Sequence, residues 1–205
     1  MITIVNYGLG NLGSIQNMLK YLGINCMISS DFTEIEKADK LILPGVGSFD
    51  KGMELLREKK VNEILNYKVL DEKIPILGIC LGMQMMGNSS EEGKISGLGW
   101  INGRCIKFKT NSETSFNLKV PHMGWNYLRK VKDDRLFADM EDGVRFYFVH
   151  SYHLICDNPD DAATVTNYGY DFVSSFAKDN IFGVQFHPEK SHKFGMRLLN
   201  NFSKI

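Results

Sequence analysis

The sequence predicts an α/β protein with an open, mostly parallel central sheet, flanking helices and additional antiparallel strands. Three observations predict it. Short β-branched runs alternate with apolar positions at helical spacing through about residue 95, and that alternation implies right-handed βαβ crossovers with both sheet faces covered. Beyond that point short strand-like runs follow one another through turns. A helix-patterned segment closes the chain.

Ile2 to Asn6 is a β-branched run that ends in Tyr7-Gly8-Leu9-Gly10-Asn11. Ile15, Met18, Leu19 and Leu22 then recur at helical spacing, and Gly23 stops the helix. Ile24 to Ile28 reads as a second strand, and Lys40 to Leu43 as a third ended by Pro44-Gly45-Val46-Gly47. Two helical stretches, Phe49 to Lys59 and Val61 to Leu70, lead to Pro75 and the apolar run Ile76-Leu77-Gly78-Ile79. Arg104 to Phe108, Phe146 to Val149, Thr164 to Tyr168, Phe172 to Ala177 and Ile181 to Phe186 read as strands. The last helix is expected over His192 to Phe202, with Phe194, Leu198, Leu199 and Phe202 on one stripe. Lys109 to Ser115, polar and poor in large apolar residues, reads as an exposed loop. No repeat or linker interrupts the pattern, so residues 1–205 read as one domain.

Composition narrows the function classes. Of 205 residues, 43% are hydrophobic and 23% charged, the profile of an ordinary globular chain. Lys plus Arg and Asp plus Glu both number 24. Nucleic-acid binders usually carry a basic excess, because phosphate contact dominates their affinity, so a small-molecule site or a protein partner is expected instead. The opening Met-Ile-Thr-Ile-Val-Asn has no basic n-region or long apolar core, and no apolar run approaches membrane-spanning length. Cys26, Cys80, Cys105 and Cys156 are scattered without a C-x-x-C pair, which fits a reducing cytoplasm better than a disulfide framework. No metal site or cofactor is expected. His150 and His153, three apart on a strand, would point to opposite faces.

Three windows carry chemistry. In Gly78-Ile79-Cys80-Leu81-Gly82-Met83-Gln84 an apolar strand runs into a cysteine with a glycine two residues to either side. That is a nucleophile elbow with cysteine in place of serine. Such a turn strains the nucleophile's backbone, and its neighbours must lack side chains where strand and helix crowd. The other reading is a buried structural cysteine between packing glycines. In Val184-Gln185-Phe186-His187-Pro188-Glu189 a second apolar strand ends in a histidine. Extended chain would place Glu189 on the same side as His187, a base with its orienting carboxylate; a strand end with a surface pair is the alternative. Both windows are strand termini, and open α/β sheets build their sites at the carboxyl ends of strands. In the third window, Pro44-Gly45-Val46-Gly47, a glycine-rich turn can aim N–H groups at a developing oxyanion, with the Leu81 amide as a second donor. A phosphate loop is the rival, but no Gly-Lys-Ser/Thr completes it.

With these windows the sequence resembles the class I (triad) glutamine amidotransferases, and within them the glutaminase subunits of imidazole glycerol phosphate synthase. Further matching segments are Asn6-Tyr7-Gly8-Leu9-Gly10-Asn11, Pro121-His122-Met123-Gly124-Trp125-Asn126, Tyr147-Phe148-Val149-His150-Ser151-Tyr152 and the extension Lys190-Ser191. The resemblance implies a flavodoxin-like fold. It implies that Cys80 attacks the glutamine amide, that His187 transfers the protons and that Glu189 holds the imidazole. Gly45, Val46 and Gly47 with Leu81 would serve the oxyanion; Gln84, Ser151 and Tyr152 would hold substrate. It also implies a heterodimer, with ammonia delivered to a cyclase subunit on a separate chain for histidine biosynthesis. Two departures stand out: Asn6 where the family often has aspartate, and Gly13 where arginine commonly follows Gly-Asn-Leu. A paralogous subunit that supplies ammonia to a sugar amidotransferase of surface-glycan synthesis is the alternative. A cysteine peptidase is disfavoured because Leu81, not histidine, follows the nucleophile. A non-catalytic interaction module is the third class.

Overall fold

In a computed structural model of the chain, residues 1–109, 118–141 and 143–205 are described. The elements are β1 (Ile2–Val5), α1 (Leu12–Tyr21), β2 (Cys26–Ser29), α2 (Phe32–Glu36), β3 (Lys40–Leu43), α3 (Phe49–Glu58) and α4 (Val61–Asn66), which runs into a π-helical turn over Tyr67–Asp71. There follow β4 (Ile76–Ile79), α5 (Leu81–Met85), β5 (Ser89–Ser90), β6 (Gly103–Lys107), β7 (His122–Tyr127), β8 (Arg129–Lys130), β9 (Arg145–His150) and β10 (Tyr152–Cys156). The chain ends in β11 (Ala162–Tyr168), β12 (Tyr170–Lys178), β13 (Ile181–Val184) and α6 (His192–Lys204).

Among the described residues the main sheet runs β2-β1-β3-β4-β13-β12-β11-β8. Its first five strands pair in parallel and the remaining three antiparallel, as the change of rhythm in the sequence implies. Smaller sheets, β10-β6-β5 and β7-β9, stand beside it. Parallel strands buried on both sides alternate their apolar side chains between two cores. Ile4, Ile42, Leu77, Ile79 and Phe182 face α1 and α6, packing with Ile15, Leu19, Leu198, Leu199 and Phe202. Leu41, Leu43, Ile76 and Ile181 face the other way, towards Ile35, Met53, Leu56, Leu65 and Met83 of α2 to α5. Removing a fully buried ring such as Phe202 costs about 3–5 kcal/mol, through lost transfer energy and the cavity left behind.

The predicted strands and helices are present with shifted ends, and five elements, α2, β5, β7, β8 and β10, have no counterpart in the sequence pattern. The helix α2 spans only five residues, too few to show a period; Asp31 caps it, its carboxylate accepting from the Thr33 and Glu34 amides. β10 follows β9 after a break at Ser151. β7 inverts the usual code. Met123, Trp125 and Tyr127 are exposed while His122 is buried, so alternation assigns its apolar side chains to the wrong side. The expected loop over Lys109 to Ser115 lies, from Thr110 onward, outside the described residues.

Candidate active site

The site grows from the pairing of β4 with β13. Their parallel register sets Gly78 beside Gly183 and Ile79 beside Val184. The Cys80 amide then donates to the Val184 carbonyl at 2.8 Å. There the chain breaks direction: Cys80 has φ 53° and ψ −110°, a conformation that costs a non-glycine residue about 1–3 kcal/mol. Packing holds it. A Cβ at Gly82 would stand 1.8 Å from the Leu43 carbonyl oxygen, so only glycine lets α5 start directly against the end of β3. This is the predicted elbow. Because α5 is five residues long, its dipole is a weak aid to a thiolate.

His187 lies just beyond β13. Its amide donates to the Tyr147 carbonyl at 2.9 Å. Its own carbonyl accepts the Ser191 hydroxyl at 2.6 Å, and the same hydroxyl accepts the Tyr147 amide at 3.0 Å. The backbone behind the ring is thus tied on both sides. Nδ1 donates to Glu189 Oε1 at 2.8 Å, with both side chains out of water. The spacing predicts extended chain here; Pro188–Lys190 is instead a 3₁₀ turn. The tight turn, not period-two alternation, swings the carboxylate under the imidazole. Burial works against a charge on His187, but the Cys80 sulfur and the Glu189 carboxylate outweigh it and raise its pKa to about 10. The sulfur acts on the ring without a formed hydrogen bond, since Nε2 is buried and unpartnered among the described residues.

Cys80 and His187 open on one cavity of about 320 Å³, also lined by Val46, Gly47, Leu81, Gln84, Ser151 and Tyr152. That volume suits a small metabolite. Gly45 is not on the wall. A Cβ there would meet the Tyr7 hydroxyl and Leu81, and Tyr7 donates to the Pro44 carbonyl at 2.7 Å. Gly45 therefore anchors the turn from below, which gives the Asn6-Tyr7-Gly8 segment a local purpose. Glu189 stands behind His187. No group of three or more His, Cys, Asp or Glu is placed to hold a metal among the described residues.

Sequence reasoning missed four features. Glu92 reaches the cavity wall while its carboxylate accepts the Phe49 amide at 2.8 Å. Gln185 is wholly buried, and its Nε2 lies 3.7 Å from the Cys80 sulfur. His150 lines the cavity too, and His150 and His153 do not face apart. The chain turns at Ser151, so both rings pack on Phe108, with centroids 5.1 and 4.8 Å from it. A histidine relay is the fourth. The Tyr152 carbonyl can only accept, so His150 Nδ1 donates to it at 2.7 Å. His150 Nε2 must then accept from His122 Nδ1 at 3.0 Å, and His122 Nε2 from the Asn126 amide at 3.1 Å. All bonds are satisfied with both rings neutral. Burial agrees, holding His122 down at about 4 and His150 well below its usual value. No spacing rule reveals such a relay, because it forms only when β7 pairs with β9 and sets His122 opposite His150.

Comparison with known proteins accords with this geometry. The family model of class-I glutamine amidotransferases matches residues 3–205. The chain is 52% identical to the imidazole glycerol phosphate synthase subunit HisH 2 of Methanococcus maripaludis, over all of this chain and 99% of that protein. It is 48% identical to the subunit HisH of Bdellovibrio bacteriovorus, over the full length of both. Among solved structures it is similar to a putative GMP synthase protein of Thermoplasma acidophilum, with a TM-score of 0.73, 23% identity and coverage of 99% and 92%. PurLQS of Thermotoga maritima gives a TM-score of 0.71 at 18% identity, covering 98% and 96%; these structural likenesses concern the fold. An elbow cysteine, a carboxylate-backed histidine and a full-length family match lead to one conclusion: the chain belongs to the class-I glutamine amidotransferase family.

Proposed function

We propose that the chain is the glutaminase subunit of an imidazole glycerol phosphate synthase, with Cys80, His187 and Glu189 as its catalytic residues. The observation that carries the chemistry is the meeting of the Cys80 sulfur and the Glu189-backed His187 ring at one cavity. The pathway rests on full-length identity of 44–52% to proteins named as that subunit. Residues 1–205 act as one amidotransferase domain, and the chain works in the cytoplasm, in keeping with its free cysteines.

The geometry supports the following steps. The Cys80 sulfur attacks the side-chain amide carbon of glutamine, forming a C–S bond and an oxyanion. The Leu81 amide, at the first position of α5, has no intrahelical partner and can donate to that oxyanion, with Val46 and Gly47 as the second wall, held from below by Gly45. His187 holds the proton taken from the thiol and passes it to the departing nitrogen as the C–N bond breaks, releasing ammonia. Water, deprotonated by His187, then attacks the thioester; the C–S bond breaks and glutamate leaves. Throughout, Glu189 fixes the Nδ1–H tautomer, so that Nε2 faces the sulfur. Both Gln84 side-chain hydrogens are committed, to the Tyr152 carbonyl and to Gln185 Oε1, each at 3.0 Å. Its own oxygen is left for the α-ammonium of the substrate, with Ser151 and Tyr152 beside it.

Ammonia would pass to a cyclase partner that forms imidazole glycerol phosphate. The test is ammonia release from glutamine by the purified chain, alone and with that cyclase. Release that depends on Cys80 and rises with the cyclase supports the reading. Stimulation by a sugar amidotransferase instead would move the acceptor to glycan synthesis, and no release with either would end the proposal.

A further inference from the structure

We infer that Gln185 is a positioning residue for the nucleophile, its side-chain N–H holding the Cys80 sulfur and favouring the thiolate. The inference rests on Cys80 being the nucleophile and adds a residue that the triad does not contain.

Register brings the two together. Ile79 pairs with Val184, so the next residues, Cys80 and Gln185, leave the sheet side by side although 105 positions separate them. Gln185 has no exposed surface, and a buried amide must find partners for both its ends. Its orientation is not a free choice. The Tyr152 main-chain oxygen can only accept, so Gln84 must turn its nitrogen there. That same nitrogen donates to Gln185, so Gln185 must turn its oxygen towards Gln84. The nitrogen of Gln185 is then the end left facing the sulfur, at 3.7 Å. Reversing either amide would oppose two acceptors or two donors. A main-chain carbonyl on β10 therefore dictates, through two side chains, that sulfur receives a hydrogen.

A thiolate is a better acceptor than a thiol, and a bond made more strongly to the charged form favours that form. The contribution matters here because the helix behind Cys80 is short. It is also independent of His187, leaving the ring free to exchange protons with the substrate.

The test compares Gln185→Met, similar in size but without a donor, with the unaltered full chain. Alkylation of Cys80 by iodoacetamide is followed peptide by peptide from pH 6 to 10, with Cys26 as internal control. The expected result is about tenfold slower alkylation of Cys80 at pH 7 in the variant, converging with the parent at high pH where both are ionised. A purely structural role would change the rate equally at every pH or not at all, and that profile overturns the inference. If Gln185→Met does not fold, the parent protein decides: the Gln185 side-chain ¹⁵N–¹H resonances must move with Cys80 ionisation and stay still in Cys80→Ala. Resonances that ignore Cys80 overturn it as well. Ammonia release that survives in Cys80→Ala would instead defeat the nucleophile assignment, so the two failures are distinct.

Discussion

Replacing Cys80 by glycine and by alanine separates strain from chemistry at the elbow. Both variants lack the sulfur, so neither should release ammonia from glutamine; their stabilities should differ from the usual pattern. At an unstrained buried position glycine is worse than alanine by about 0.5–1 kcal/mol of backbone entropy. A further about 0.8 kcal/mol goes with the buried methyl. A chain of this size loses about 2–4 °C per kcal/mol, so glycine would ordinarily melt about 3–7 °C below alanine. At φ 53° and ψ −110°, however, the Cβ itself is the source of strain. Relief of about 2 kcal/mol, mid-range for such a conformation, offsets the whole deficit. Cys80→Gly should therefore melt level with Cys80→Ala or a degree or two above it in differential scanning calorimetry. A glycine variant melting 3 °C or more below alanine would refute the idea that the fold strains the backbone at Cys80.

His187→Ala should lower kcat for glutamine hydrolysis by several orders of magnitude, because a thiol with a reference pKa of about 8.5 is scarcely ionised at neutral pH without a base. Glu189→Ala should cost less, as orientation is a smaller contribution than proton transfer; equal losses in steady-state assays would reverse that ranking. The raised pKa of His187, about 10 against 6.5 in an unfolded chain, means that its charge stabilises the fold fully below about pH 6.5. That stability is lost as pH rises through 10, so melting temperature should fall across this window and fall less steeply in Glu189→Gln; parallel curves would show that the carboxylate does not hold the charge. Gly82→Ala would drive a methyl onto the Leu43 carbonyl oxygen and should destabilise by about 3 kcal/mol or more, seen as a lower urea midpoint. An unchanged midpoint would mean that α5 can retreat from β3.

The chemistry-bearing pieces are local and were legible for that reason. A glycine-flanked cysteine between an apolar strand and a helix, and a histidine followed within two residues by a carboxylate, are short-range patterns. Their strand-end location carried the rest, since a parallel sheet gathers such ends on one edge. The inverted pattern of β7 was not legible, because periodicity assumes that apolar side chains turn inward, and Trp125 and Tyr127 do not. His150 and His153 do not split between faces because they lie on different strands: β9 ends at His150 and β10 begins at Tyr152, beyond the break at Ser151.

The amino-acid sequence determined by itself the α/β class and the elbow at Cys80, because each is written in neighbouring residues whose types and spacing constrain the backbone directly. It set Glu189 two residues from His187, but the 3₁₀ turn over Pro188–Lys190 made their contact. Only the tertiary structure decided that Gln185 lies beside Cys80 and that His122 meets His150. Only it decided that one main-chain oxygen, at Tyr152, orients both relays. Hydrogen-bond polarity belongs to contacts between distant segments, and no residue carries it until sheet register brings donor and acceptor together.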